Sequence, residues 1–192
     1  MRNLFLNFEK LYSCAHFSNF SPIIKDQSHG CAQSIFMVKY NNINIIVKIH
    51  PSQSFHNKMI QQIINNIDQK IHIHLLSSIT ELIRDSDAVI TITPEGWAPS
   101  TIILESLILK VPIMNIVLDE HFYDFQFVKE NAIIVASPES NLDEYISKIL
   151  FDKEFRRNLI INGEHFVQHF LHNPKHASER LADEISSLVE NH

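Results

Sequence analysis

The stretch TITPEGWAPSTIILESL, residues 91–107, places Ser100 and Thr101 directly after Pro99 and sets Glu105 four residues further on among Ile102, Ile103, Leu104, Leu107, Ile108 and Leu109. Proline suits the first position of a helix, because its missing N–H would have no partner there. A helix over 99–109 is therefore expected to begin with the backbone N–H groups of Ser100 and Thr101 unpaired, at the positive end of the helix dipole and beside two hydroxyls. That combination suits phosphate or another anion. Gly96, in the loop before it, allows the backbone to come close to a ligand. The plain alternative is that the two hydroxyls only cap the helix. Glu105 shares a helix face with Thr101, one turn deeper. An unpaired carboxylate among isoleucines and leucines costs several kcal/mol, so Glu105 must face either solvent or donors. Below an anion site, a carboxylate can accept hydrogen bonds from a sugar diol while the anion sits on the helix tip.

His50 follows the β-branched run INIIVKI and precedes Pro51. A histidine at a strand exit can donate to a phosphate oxygen or carry a proton near neutral pH. It is the candidate for any catalytic part, with a purely structural role as the alternative. Further histidines are less specific. His165, His169 and His172 recur at i, i+4 and i+7, and His176 follows Pro174. Imidazoles so spaced can ligate a divalent metal, but no carboxylate–histidine motif accompanies them, and a partly solvated helix face accounts for them. His72 and His74 share one side of a strand by the two-residue period, which fits edge packing. Asp119, Glu120 and His121 follow another strand and lie within reach of a ligand at the strand ends.

These residues need a scaffold, and 192 residues with 45% hydrophobic and 20% charged content suffice for one globular domain. The formal net charge of -6, without a Lys/Arg block, offers no footprint for a nucleic-acid backbone. Cys14 and Cys31 match neither a zinc ribbon nor a redox pair, as expected of inert thiols in a reducing compartment. The opening residues lack the apolar core and cleavage site of a signal peptide, and no apolar run reaches membrane-spanning length. A cytoplasmic protein without a transmembrane segment is expected.

Along the chain, residues 1–34 read as an irregular extension carrying Phe5, Phe8, Leu11 and Tyr12 at helical spacing. Strands are expected at 43–49, 71–75, 88–92, 111–117 and 132–135. Helices are expected at 53–67, 79–84, 99–109, 142–151, 155–170 and 175–189. Residues 34–40 fit either a helix leading into the first of these strands or one arm of a hairpin, the helix being preferred. Strands alternating with helices call for parallel pairing and right-handed crossovers, hence a doubly wound α/β fold, mostly parallel, with helices on both faces and a helical C-terminal tail. Such sheets bind ligands beyond the carboxyl ends of their strands, where the strand order reverses.

The string Val47-Lys48-Ile49-His50-Pro51, then Ser86-Asp87-Ala88-Val89-Ile90-Thr91, then Ser100-Thr101-Ile102-Ile103-Leu104-Glu105-Ser106-Leu107 with Val111-Pro112-Ile113, resembles the C-terminal, donor-binding domain of GT-B glycosyltransferases. The likeness is to the enzymes of capsule, teichoic-acid and surface-polysaccharide synthesis, with their K-x-H-P and S-[ST]-x-x-x-E motifs. It covers roughly residues 43–170 and implies that residues 35–192 form a Rossmann-like nucleotide-sugar-binding domain, half of a GT-B fold. By this resemblance His50, Ser100 and Thr101 contact the donor's phosphates, Glu105 contacts its ribose, and the loop with Leu76 and Ser77 lies near the nucleobase. It implies no cofactor and no metal.

Two departures accompany the likeness. The loop Pro94-Glu95-Gly96-Trp97-Ala98-Pro99 replaces a small Gly/Ser-rich turn, bringing an indole and a carboxylate toward the pocket. The acceptor-binding half has no counterpart in the preceding 34 residues, so an acceptor-domain partner protein or a homodimer is implied, with membrane proximity arising through that partner. Two rival readings stand beside this one. A UDP-sugar 2-epimerase-like protein shares the architecture but carries a Ser-Gly-Gly signature where this chain has Pro99-Ser100-Thr101. A noncatalytic interaction protein would keep the fold and use the apolar N-terminal segment to dock a partner.

Overall fold

The computed structural model of the chain describes residues 1–8, 43–49, 57–93, 99–118, 124–171 and 176–190. Among the described residues six strands, β1 (Arg2–Phe8), β2 (Ile43–Ile49), β3 (His72–His74), β4 (Ala88–Thr93), β5 (Ile113–Val117) and β6 (Ile134–Ala136), form one sheet in the order β3-β2-β1-β4-β5-β6. Every neighbouring pair is parallel. The described helices are α1 (Asn57–Ile67), α2 (Ile79–Arg84), α3 (Thr101–Ile108), α4 (Gln126–Lys129), α5 (Leu142–Phe151), α6 (Lys153–Phe170) and α7 (Ala177–Glu190). This is the doubly wound arrangement, and its order reverses between β1 and β4.

Helices cover both faces because the inner strands β1, β2, β4 and β5 carry apolar residues on both sides, as buried parallel strands do. On one face Leu4, Leu6, Val47, Ile49, Ile90, Met114 and Ile116 pack against Ile60 and Ile64 of α1 and Leu142, Ile146, Ile149 and Leu150 of α5. On the other, Phe5, Ile46, Val89, Ile113 and Val117 pack against Leu82 and Ile83 of α2, Ile102, Ile103 and Leu107 of α3, Phe127 of α4 and Phe166 of α6. At the α3–α6 crossing a Cβ on Gly163 would lie 2.9 Å from Leu107 Cδ2, so glycine lets the two helices come this close. Helix α3 then stops with Lys110 at φ 60, where Lys110 N–H donates to Leu107 O and Val111 N–H to Ser106 O, the paired bonds of a Schellman ending.

β1 corrects the reading of the N-terminus. Phe5 and Phe8 sit at a spacing that also fits a helix, yet residues 2–8 are the middle strand, pairing with β2 on one side and β4 on the other. Leu4 and Leu6 serve one core and Phe5 the other, so apolar residues on both alternating sets hide the two-residue period. The sheet thus contains residues placed ahead of the boundary at residue 35, and Phe5 is not available for docking a partner. Leu11, Tyr12 and residues 34–40 lie outside the described residues.

Helix α6 starts at Lys153, capped by Asp152, whose carboxylate accepts from Phe155 N–H at 3.0 Å. α7 carries the expected Leu181, Ile185 and Leu188 register, but all three side chains are exposed. Among the described residues no helix is long and apolar enough to cross a membrane.

Candidate functional site

The carboxyl end of β4 leads into α3, and the start of that helix differs by one position from expectation. Ser100 is the N-cap, with extended backbone at φ -62 and ψ 138, and Thr101 is the first helical residue. Pro99 therefore precedes the cap and does not occupy the first turn. Ser100 is buried, its Oγ accepts from Ile102 N–H at 3.2 Å, and its carbonyl accepts from Ile103 N–H at 3.1 Å. The capping role is thus filled by Ser100 alone. Thr101 is exposed at the positive end of the helix.

Glu105, one turn below, is half-buried, and Thr80 Oγ1 donates to its Oε2 at 3.4 Å. Thr80 belongs to the first turn of α2, so the carboxylate lies between the two helices, whose starts follow the carboxyl ends of β3 and β4. Thr80 was not among the residues the sequence singled out; a hydroxyl near the start of the next helix was the only signal available. Ser77 lies in the loop before α2, where its Oγ is 2.8 Å from His74 Nδ1. The same loop is tied to β2 by Lys48, whose Nζ donates to Leu75 O. Lys48 is 3% exposed, and burial pushes its ammonium below the ordinary lysine range. Ser77, Ser100, Thr101 and Glu105 are thus all found at the carboxyl-end side of the sheet.

Toward this end the strands carry polar residues in their sequence. His74, Lys48, Asn7, Thr91 and Asn115 are successive register partners across β3, β2, β1, β4 and β5. Asn115 is fully buried, and its Oδ1 accepts from Thr91 Oγ1 at 2.6 Å and from Thr93 Oγ1 at 3.0 Å. Its Nδ2 and the Oγ of Ser106 on α3 have no hydrogen-bond partner among the described residues. Buried polar atoms left in that state are uncommon in folded proteins.

His50, Gly96, Glu95, Trp97 and the segment Asp119-Glu120-His121 lie outside the described residues. The histidines of α6 are brought together as a pair, with His165 and His169 rings 4.1 Å apart and His165 Nδ1 3.5 Å from Glu130 Oε2. Among the described residues no group of three metal-ligating side chains converges. His172 is outside them, and His176 Nδ1 lies 2.7 Å from Glu179 Oε2. His72 is exposed and His74 half-buried at the sheet edge.

No family model and no curated protein matches this chain. Solved structures do. WaaG, a glycosyltransferase involved in lipopolysaccharide biosynthesis, is similar over 96% of this chain and 47% of its own, with TM-score 0.55 and 18% identity. The C-terminal domain of LpcC, a group 1 glycosyl transferase from Francisella tularensis, is matched over 88% of this chain and 86% of that domain, with TM-score 0.58 and 14% identity. HepE from Anabaena, solved in complex with UDP and glucose, gives TM-score 0.64 and 12% identity over 97% of this chain and 48% of its own. The chain spans about half the length of WaaG and of HepE. Its fold is that of a domain of GT-B glycosyltransferases, doubly wound and Rossmann-like.

Proposed function

We propose that the chain is the nucleotide-sugar-binding donor half of a GT-B glycosyltransferase, acting in the synthesis of a surface polysaccharide or glycoconjugate. The observation that carries this reading is the state of Glu105. It is a half-buried carboxylate one turn below an anion-compatible helix start, at the carboxyl side of the sheet, and among the described residues its side chain has one hydroxyl contact, at 3.4 Å. A group so poorly satisfied by its own fold has capacity for two further hydroxyl donors, which a ribose diol supplies. Thr101 and the dipole of α3 offset the phosphates, and the motif resemblance assigns His50 to the same phosphates. During transfer these groups stabilise the charge that develops on the departing diphosphate. Acceptor binding and activation come from outside these 192 residues, through an acceptor-domain partner or a second copy. HepE, of the same fold, was solved with UDP and glucose, which supports a nucleotide-sugar ligand without fixing the base.

The test is calorimetric titration of the purified chain with UDP, CDP, GDP and CMP and their sugar conjugates. At least one nucleotide is expected to bind, and Glu105→Ala and Thr101→Val are each expected to weaken it roughly tenfold or more with the fold intact by circular dichroism. A folded wild-type chain that binds none of these ligands would overturn the reading. Interconversion of a sugar nucleotide with its epimer by the chain alone would replace it with the epimerase.

A further inference from the structure

Lys48 is a lysine almost wholly removed from solvent. It sits on β2 with 3% exposure, and among the described residues no carboxylate forms an ion pair with it. Taking an ammonium out of water without a counter-charge is costly, and an apolar side chain of similar volume at such a position is commonly neutral or stabilising. Among the described residues the ammonium donates to the carbonyl of Leu75, the first residue beyond β3. Two residues on, Ser77 is held to His74 at 2.8 Å, and at the start of α2 Thr80 is tied to Glu105 at 3.4 Å. Residues 75–77 are thereby fastened to β2 and β3, with only a long contact from Thr80 to α3. Between these ties stands Leu76, an apolar side chain that is 98% exposed. An exposed loop of this kind would ordinarily be mobile; here its backbone is held by a buried ammonium.

We propose that Lys48 is a positioning residue, whose ammonium holds the backbone of residues 75–78 in the conformation that presents Leu76 and the neighbouring peptide groups to the base of a bound nucleotide. This deepens the donor-site reading and rests on it. The base lies against the exposed leucine, and the fixed peptide groups read its edge, so that selectivity among bases depends on a lysine that does not touch the ligand. A specificity built from backbone groups requires a rigid backbone, since a loop that relaxes can satisfy several bases equally.

The experiment compares wild type with Lys48→Met, which keeps the chain's bulk without the donor, and Lys48→Gln, which restores an N–H. Three quantities are read: the midpoint of thermal unfolding, hydrogen exchange at the amides of residues 76–78, and dissociation constants for UDP, CDP and GDP. For Lys48→Met the midpoint should stay level or rise. Exchange in the loop should accelerate about tenfold or more, and the ratio of weakest to tightest dissociation constant should collapse by about tenfold. Lys48→Gln should recover a measurable part of both. A Lys48→Met chain with unchanged exchange and unchanged base preference overturns the proposal. So does one whose midpoint falls steeply while its preference survives, for that marks a structural lysine. If Lys48→Met does not fold, the exchange and preference of Lys48→Gln against wild type decide the matter on the same criteria. A wild-type chain that binds none of the three nucleotides instead overturns the donor-site reading, a result recognisably different from a preference that outlasts the loss of Lys48.

Discussion

The two rims of the sheet treat their polar groups differently. At the amino-terminal rim, Asp87 accepts from Asn3 N–H at 2.8 Å and pairs with Arg2, and Asp87 N–H donates to Asn3 O at 2.7 Å. Asn3 Nδ2 donates to Asp85 O at 2.9 Å, Asn44 Nδ2 donates to Asn3 Oδ1 at 3.2 Å, and Arg156 donates to the carbonyl of Asp87 at 2.9 Å. These groups satisfy one another and staple β1, β2, β4 and α6 together. Toward the carboxyl ends, Lys48 has a neutral carbonyl for a partner, Glu105 a long contact to Thr80, and Asn115 Nδ2 none among the described residues. The polar groups named at the first rim pair with one another; those at the second are only partly paired within the described residues, as expected at the end of a sheet that binds a ligand.

The comparison is broken most severely at the saturated rim. Asp87→Ala should destabilise the chain by about 1–3 kcal/mol, because it leaves the Asn3 N–H and the Arg2 guanidinium without their acceptor. Urea unfolding measures this, and nucleotide binding by the folded fraction should be unchanged. A loss below about 0.5 kcal/mol would mean that the amino-terminal network is ornamental and that the contrast between rims is unreal.

The same carboxylate gives the next effect. Burial pushes Asp87 up, but the Asn3 backbone bond and the Arg2 guanidinium, helped by the charge of Arg156, outweigh it and hold the carboxyl below the ordinary range. A depressed native value contributes stability that is present above the unfolded value and lost as pH falls through the native one. Stability should therefore decline from about pH 4 downward, and Asp87→Asn should flatten this acid limb while leaving the neutral range less stable. An unaltered acid limb in Asp87→Asn would assign the acid sensitivity to other carboxylates.

At the other rim a concerted change should be nearly silent. In Thr91→Val/Thr93→Val/Asn115→Leu every partner of the buried cluster is replaced by an apolar group, so no donor or acceptor is stranded and the unpaired Nδ2 disappears. Stability is expected within about 1 kcal/mol of wild type, whereas Asn115→Leu alone, which strands two hydroxyls, should cost more. If the triple variant loses as much as the single one, the cluster is a structural requirement and not a surplus.

What could be read from the chain divides along similar lines. Residues 43–49, 79–84 and 142–151 coincide with β2, α2 and α5, since local periodicity and the flanking residues act within one element. β1 was misread because a strand buried on both faces loses its alternation, and the spacing of Phe5 and Phe8 then mimics a helix. The four residues of α4 were too few to show a period. At the site, the cap and the carboxylate below it were visible as a local motif. The pairing of Glu105 with Thr80, 25 residues away, was not, because it depends on how two crossover helices lie side by side. Nor was the burial of Lys48: a lysine in a β-branched run shows its side of the strand, but not whether another element covers it.

The smallest expected effect on stability sharpens the contrast most. Glu105→Gln keeps the size of the side chain and an oxygen able to accept from Thr80, and the wild-type contact at 3.4 Å is too long to contribute much. Unfolding free energy should therefore stay within about 0.5 kcal/mol of wild type. Ligand affinity should fall nonetheless, because the charge-assisted hydrogen bonds that a carboxylate offers a diol are stronger than those of an amide, and the amide accepts at one oxygen where the carboxylate has two. A stable protein with roughly tenfold weaker nucleotide binding would separate folding from recognition at a single atom pair. A protein destabilised by more than about 1 kcal/mol would instead place Glu105 among groups satisfied by the fold, like Asp87. The carboxyl rim would then have lost its unexplained carboxylate, and with it the ground for expecting a sugar hydroxyl there.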